Sequence, residues 1–184
     1  MTVTPSKMQA LGSSVIDFDL IDTRDDTFIN LQKYRQSKPL LVAFICNHCP
    51  YVVHIIKRLS ALAAGYQQQG VRVVFISSND VKTHPADSPV NMRQFALDNN
   101  FNWPYLYDET QSVARAYCAE CTPDFFLYNA SGELVYRGRF DAATPGNEHP
   151  VTGDDLTQAV VQMQQGVALT VEQLPSFGCN IKWK

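Results

Sequence analysis

A run of apolar residues, Leu40-Leu41-Val42-Ala43-Phe44-Ile45, stops at Cys46-Asn47-His48-Cys49 and gives way to a helical pattern that starts at Pro50. The run is continuous and rich in branched side chains, as a central parallel strand is. Beyond it Val52, Ile55, Ile56, Leu59, Leu62, Ala63 and Tyr66 recur at three- and four-residue steps, so one stripe of a helix packs inward. Pro50 suits a first helical turn, where its missing N–H costs nothing, and Gly70 marks the end. A second branched run, Val71 to Ile76, follows at once. Strand, helix and strand make a βαβ unit, whose crossover is right-handed.

The two thiols at this strand-to-helix junction can face each other across one helical turn, beside the unpaired amides and the positive dipole end of the helix. That setting favours thiolate, so the pair reads as a redox dithiol. The same spacing serves zinc sites and haem attachment. Haem attachment needs His directly after the second Cys, where Pro50 stands. In dithiol chemistry one thiolate attacks a partner disulfide and the second thiol expels the partner. Cys46, at the exposed end of the strand, is the expected nucleophile, and Cys49, in the first helical turn, the expected resolver. His48 between them is a candidate thiolate-stabilising neighbour and reads equally well as a solvated polar residue. His54, His84 and His149 are isolated in the sequence and receive no role.

Charge separates the function classes. Lys and Arg total 15 against 18 acidic residues, a net charge of −3 in 184 residues, with no basic stripe for nucleic acid or an anionic membrane surface. Met1 to Ser14 lacks a charged leader with an apolar core, and no apolar run approaches membrane-spanning length. The sequence predicts a soluble, cytoplasmic protein that forms one domain over 1–184, with a core at about 15–165 and a C-terminal tail at 166–184. The 5 cysteines are too few for a disulfide scaffold in a chain of this size, which adds weight to catalytic use.

The other elements alternate in the same way. An N-terminal segment around Val15 to Leu20 precedes a polar turn at Asp22 to Asp26, and Ser88 with Pro89 opens a helix whose apolar edge is Met92, Phe95 and Ala96. A short strand near Pro104 to Tyr107 leads into Asp108-Glu109-Thr110-Gln111, whose capping-box spacing predicts a helix ending near Tyr117. Asp124 to Tyr128 and Glu133 to Arg139 flank the turn-forming Asn129-Ala130-Ser131-Gly132, a hairpin signal. Thr152 to Asp155 caps a last helix carrying Leu156, Ala159, Val160 and Met163.

This order of motifs, with Thr122-Pro123 ahead of the hairpin, resembles the thioredoxin-fold superfamily. The N-terminal extension and the segment inserted before the Thr-Pro loop make the chain similar to its peroxiredoxin-like group, which includes thioredoxin-like thiol-disulfide oxidoreductases and the alkyl hydroperoxide reductase / thiol-specific antioxidant type. The resemblance implies an α/β thioredoxin-like fold with a central mixed sheet flanked by helices. It implies that Pro123 is cis and faces the dithiol, and that Thr122 presents its backbone to an extended substrate. It also implies exchange chemistry at Cys46 and Cys49 with no organic cofactor or metal, acting on a protein or small-molecule disulfide, with His48, Thr122 and Pro123 shaping the groove. Asp124 is expected at the groove edge.

Two rival functions remain open. In a peroxidase, the resemblance implies Thr and Pro before the reacting Cys and Pro directly after it. Aligned on Cys49, Pro50 fits, but Cys46 stands at the Thr position and Val42 at the earlier Pro position; aligned on Cys46, Pro39 fits but Ala43 stands at the Thr position. The Arg that would polarise a peroxide falls near Pro123, so that donor is not evident. The other rival is a non-enzymatic zinc module, in which Cys118 and Cys121 join Cys46 and Cys49 as four thiolate ligands. Their separation far exceeds zinc-ribbon spacing. Cys118 and Cys121 are candidate auxiliary thiols, Cys121, two residues before Pro123, as an electron relay, and each reads equally well as a small buried apolar residue. Cys179, in Gly178-Cys179 of the tail, is a candidate mobile resolving thiol, with an ordinary free cysteine slightly favoured. Trp103 and Trp183 read as packing residues.

Overall fold

The protein is described by a computed structural model over residues 3–184. A seven-stranded sheet holds, in spatial order, β3 (Thr27–Asn30), β2 (Asp19–Asp22), β6 (Tyr105–Tyr107), β5 (Arg72–Ser77), β4 (Leu40–Phe44), β8 (Asp124–Tyr128) and β9 (Leu134–Gly138). β4, β5 and β6 run parallel, while β2, β3, β8 and β9 join antiparallel, so the sheet is mixed. The helices are α1 (Leu31–Arg35), α2 (Pro50–Gln68), α3 (Pro89–Asp98), α4 (Ser112–Ala116) and α5 (Asp154–Gln164). A small second sheet orders β1 (Val3–Pro5), β10 (Phe177–Asn180) and β7 (Cys121–Thr122). This is the α/β thioredoxin-like fold.

Every residue of β4 is buried, because successive side chains point to opposite faces and both faces are covered. On one face Leu41 and Ala43 pack with Val73, Phe75, Phe125 and Leu127 under α2, α3 and α5. On the other, Leu40, Val42 and Phe44 pack with Val74, Ile76 and Phe126 under α1 and α4. Of the α2 stripe read from the sequence, Val52, Ile55, Ile56, Leu59, Ala63 and Tyr66 are buried and Leu62 is half-buried. Each large apolar side chain hidden this way contributes about 1.5–3 kcal/mol.

Two boundaries differ from the sequence reading. The helix expected from Asp108 starts at Ser112, because the buried Asp108 carboxylate accepts the Ala114 amide at 2.9 Å from well upstream and Gln111 takes a left-handed φ of 63°. The tail is not featureless: it contributes β10, which runs between β1 and β7.

Asp124 is not at a groove edge. It is fully buried and paired with the equally buried Arg137, whose Nη2 donates to Asp124 Oδ2 at 2.8 Å. The Arg137 guanidinium also lies 3.8 Å from the centroid of the Phe126 ring. Strand β8 has neighbours on both sides, and the adjacent strand β9 supplies the countercharge. Replacing Arg137 with Met should therefore cost about 3–5 kcal/mol, because it leaves a buried carboxylate without a partner. Urea unfolding measures this, and adding Asp124→Leu should recover most of the loss.

Candidate active site

The backbone of β4 leaves the sheet after Ile45, whose amide still donates to Ile76 at 2.9 Å. The next four residues form the redox loop. Cys49, not Cys46, is the residue that caps α2: it is extended (φ −67°, ψ 121°), with Pro50 beginning the helix. Its sulfur lies 3.1 Å from the Thr122 carbonyl oxygen and 2.8 Å from the sulfur of Cys179. The Cys46 sulfur is 3.4 Å from the Thr122 hydroxyl, and the Thr122–Pro123 peptide is cis. Cys46 is 1 % exposed, Cys49 0 % and Cys179 2 %. The exposed first thiol expected from the sequence is thus covered.

The tail provides the cover. β10 pairs antiparallel with β7, setting Cys179 opposite Thr122 and Asn180 opposite Cys121. The approach is so close that a β-carbon on Gly178 would lie 1.9 Å from the Thr122 carbonyl oxygen. Hydrogen bonds fix the strand at both ends. Ser6 and Ser176 exchange bonds on one side, while on the other Ile181 N–H donates to Glu120 and Lys182 N–H to Asn79 Oδ1. The backbone edge at Thr122, which the sequence reading left for a substrate, carries the chain's own C-terminal strand.

A second segment grips the redox loop from the other side. Pro85–Asp87 forms one 3₁₀ turn, and the buried Asp87 carboxylate accepts the Asn47 amide at 2.8 Å and the Asn79 side-chain amide at 2.8 Å. His48 Nδ1 lies 2.7 Å from Asp87 Oδ2, and the ring stacks on His84 with centroids 5.4 Å apart. The Asn47 side chain donates to Ala86 and accepts from the Tyr105 hydroxyl. Cys46, His48 and Asp87 place a thiol, a ring nitrogen and a carboxylate oxygen within 4.8 Å of one another, the one such donor set among the described residues. Both Asp87 oxygens already accept hydrogen bonds, so the group works as a clamp on the loop. The two CxxC pairs do not assemble into one four-thiolate set among the described residues, which corrects the zinc-module alternative. Cys118 is exposed while Cys121 is buried with its sulfur 3.8 Å from the Pro123 carbonyl.

The electrostatics divide the thiols. A hydrogen bond from Cys46 holds the Cys49 thiol down at about 5 against the opposing effect of burial, and contacts with Cys179 and Thr122 act in the same direction. The same bond pushes Cys46 well above the ordinary thiol range, with burial and the Asp87 charge adding to it. Burial, and then the bond to Cys49, push Cys179 up to about 12, and burial raises Cys121. Thus Cys49 is the most acidic of the three clustered thiols. The cavity of about 560 Å³ between β2, β3 and α4 shares no lining residue with this cluster. A much smaller one, about 40 Å³, is lined by Tyr51, Pro123, Phe140, Ser176 and Phe177 beside the cis proline.

Residues 11–137 match the AhpC/TSA family. Among solved structures, an uncharacterized conserved protein from Geobacillus kaustophilus is 41 % identical at a TM-score of 0.97, covering 100 % of this chain and 97 % of that one. A hypothetical protein from Sinorhizobium meliloti 1021 is 44 % identical at 0.95, covering 98 % of each chain. The peroxidoxin BcpB of Mycobacterium tuberculosis, 17 % identical at a TM-score of 0.62 over 84 % of this chain and 96 % of that one, shares the fold. A search of curated proteins finds no match.

If Gly178 is what lets the tail seat, Gly178→Ala should lift β10 from Thr122 at a cost of about 1–3 kcal/mol. Labelling of Cys46, Cys49 and Cys179 by a disulfide reagent would then accelerate about tenfold or more, because such local opening governs access. Site-resolved labelling rates check this, and a rise confined to the exposed Cys118 would contradict it.

Proposed function

We propose that this chain, which belongs to the AhpC/TSA family, is a thiol peroxidase-type oxidoreductase in which Cys49 is the reacting thiolate and Cys179 the thiol that resolves it. The observation that carries the reading is the 2.8 Å separation of the Cys49 and Cys179 sulfurs inside the closed site. Cys49 attacks one oxygen of a hydroperoxide, the O–O bond breaks, and the other oxygen leaves as alcohol or water after taking a proton. The product is a Cys49 sulfenic acid. Cys179 then attacks the Cys49 sulfur, expelling water and forming the Cys49–Cys179 disulfide. A dithiol reductant regenerates both thiols by exchange.

Burial supports a small oxidant. A hydroperoxide can enter where a folded disulfide protein cannot, because Cys46, Cys49 and Cys179 are almost fully covered. Arg137 is engaged by Asp124 and is not free to polarise the O–O bond, so the peroxide step should be slow beside that of a dedicated peroxidase.

Thiol-disulfide exchange through Cys46 and Cys49 is the second reading, favoured by the CxxC loop opening α2 and by the cis Thr122–Pro123 peptide beside it. In that reading Cys46 attacks a partner disulfide once β10 has moved aside, and Cys49 expels the partner.

The two readings oxidise different pairs. Peroxide treatment of the reduced protein should give Cys49–Cys179 by peptide mapping, and Cys179→Ser should trap dimedone on Cys49. Cys46→Ser should retain this first step, whereas it should abolish insulin reduction under the second reading. The thiolate is the reactive form, and the Cys49 thiol is held at about 5. The peroxide rate should therefore be level at neutral pH and fall only as pH drops through about 5. An unperturbed cysteine, near about 8.5, would still be gaining rate above pH 7. Stopped-flow rates against pH measure this. A first product of Cys46–Cys49 with Cys179 still reduced would reverse the preference.

A further inference from the structure

We propose that Asp87 is the positioning residue of the redox loop, and that its buried carboxylate biases the CxxC pair against reaction at Cys46. The proposal rests on the reading of Cys49 as the reacting thiol and adds what disfavours Cys46.

The geometry is specific. Asp87 lies outside the CxxC motif, on the turn after β5, yet its Oδ1 takes the Asn47 amide, the first backbone donor after Cys46. That donor would otherwise be free to stabilise a negative sulfur at Cys46. Its Oδ2 is held by Asn79 and lies against His48. The carboxylate is fully buried, so its charge acts on Cys46 through protein rather than water. Two consequences have one sign at Cys46: an amide that could stabilise a thiolate is removed, and a negative charge is added nearby. The Cys46 proton is kept, and it is directed at Cys49. A thiol donating to its neighbour keeps that neighbour ionised, which is the order found here.

Among the other groups that face this cluster, Cys179 favours ionisation at Cys49, and none besides Asp87 opposes it at Cys46 with a charge. Thr122 touches both sulfurs, through its hydroxyl at Cys46 and its carbonyl at Cys49. The Tyr105 hydroxyl is spent on the Asn47 side chain. His84 stacks on His48, and Lys182, in the tail, reaches His84 electrostatically. Cys179 contacts Cys49 and not the motif's first thiol. Asp87 is the carboxylate in contact with the loop.

The test uses reduced full-length protein with ¹³Cβ-labelled cysteine, titrated by NMR without any oxidant. Asp87→Asn keeps an oxygen for the Asn47 amide and removes the charge. The expected result is a roughly tenfold rise in the thiolate fraction of Cys46 at a given alkaline pH. Asp87→Glu, which keeps the charge, should retain the wild-type order of ionisation. A Cys46 titration unmoved in Asp87→Asn overturns the proposal, as does an equal loss of order in Asp87→Glu, which is what a merely structural role predicts. Should Asp87→Asn fail to fold, Asp87→Ser, with a neutral hydroxyl acceptor, carries the same expectation. The result is separable from the functional reading. A wild-type Cys49 that titrates like an ordinary cysteine removes the peroxidase mechanism, whereas a low Cys49 with Cys46 indifferent to Asp87 removes this inference alone.

Discussion

Strand β4 is hydrogen-bonded on both sides, to β5 and β8, and covered on both faces, so its backbone can leave the sheet only over its carboxyl end. The candidate site is gathered at that exit. The strand delivers the redox loop there, the following helix receives it, and neighbouring elements end or begin beside it: the segment after β5 with Asn79 and Asp87, and Thr122-Pro123 before β8. The crevice outside the carboxyl ends of parallel strands is where open α/β sheets place their sites, because only there do several loops converge without a ladder to satisfy. The apolar core thus acts on function through position: it fixes one point in space at which polar groups from distant parts of the sequence must meet.

Period and punctuation made most of that frame legible. The run Leu40 to Ile45, the α2 stripe from Val52 to Tyr66 and the hairpin turn at Asn129 to Gly132 each carry a local signal that tertiary packing reinforces. Thr122-Pro123 was legible through family resemblance alone, since nothing in a lone Thr-Pro shows its peptide geometry. The tail was not legible: Phe177 to Asn180 is too short for a period to declare itself, and its strand exists because Thr122 and Val3 offer edges on either side. Asp87 was invisible for a similar reason. It stands ahead of Ser88-Pro89 in what reads as an ordinary polar turn, and its partners Asn47 and Asn79 come from other loops. Asp124 was misread because a charge beside a motif looks exposed until the opposing strand supplies Arg137.

Closure by β10 changes what the CxxC motif can do. An open dithiol meets proteins; a covered one meets only what diffuses into a small space or what displaces the cover. The close seat of Gly178 on the Thr122 carbonyl, with hydrogen bonds on both flanks, makes the cover part of the fold rather than a loose appendage. It also brings Cys179 against Cys49, in the register that sets this residue opposite Thr122.

Burial makes the division of labour between Cys46 and Cys49 sharper than spacing alone could. In water two neighbouring thiols would each be stabilised by solvent and would differ little. Out of water a single anionic sulfur is costly, and a second beside it more so, so ionisation of one thiol opposes ionisation of the other. Which sulfur carries the charge then depends on small differences in the surroundings: the cap position at the α2 N-terminus and the Cys179 contact favour Cys49, while the Asp87 carboxylate disfavours Cys46. These preferences point the same way although they come from a helix, a tail and a turn remote in sequence. The motif therefore supplies two thiols of one kind, and the fold around it, by excluding water and placing different neighbours against each, sets them apart.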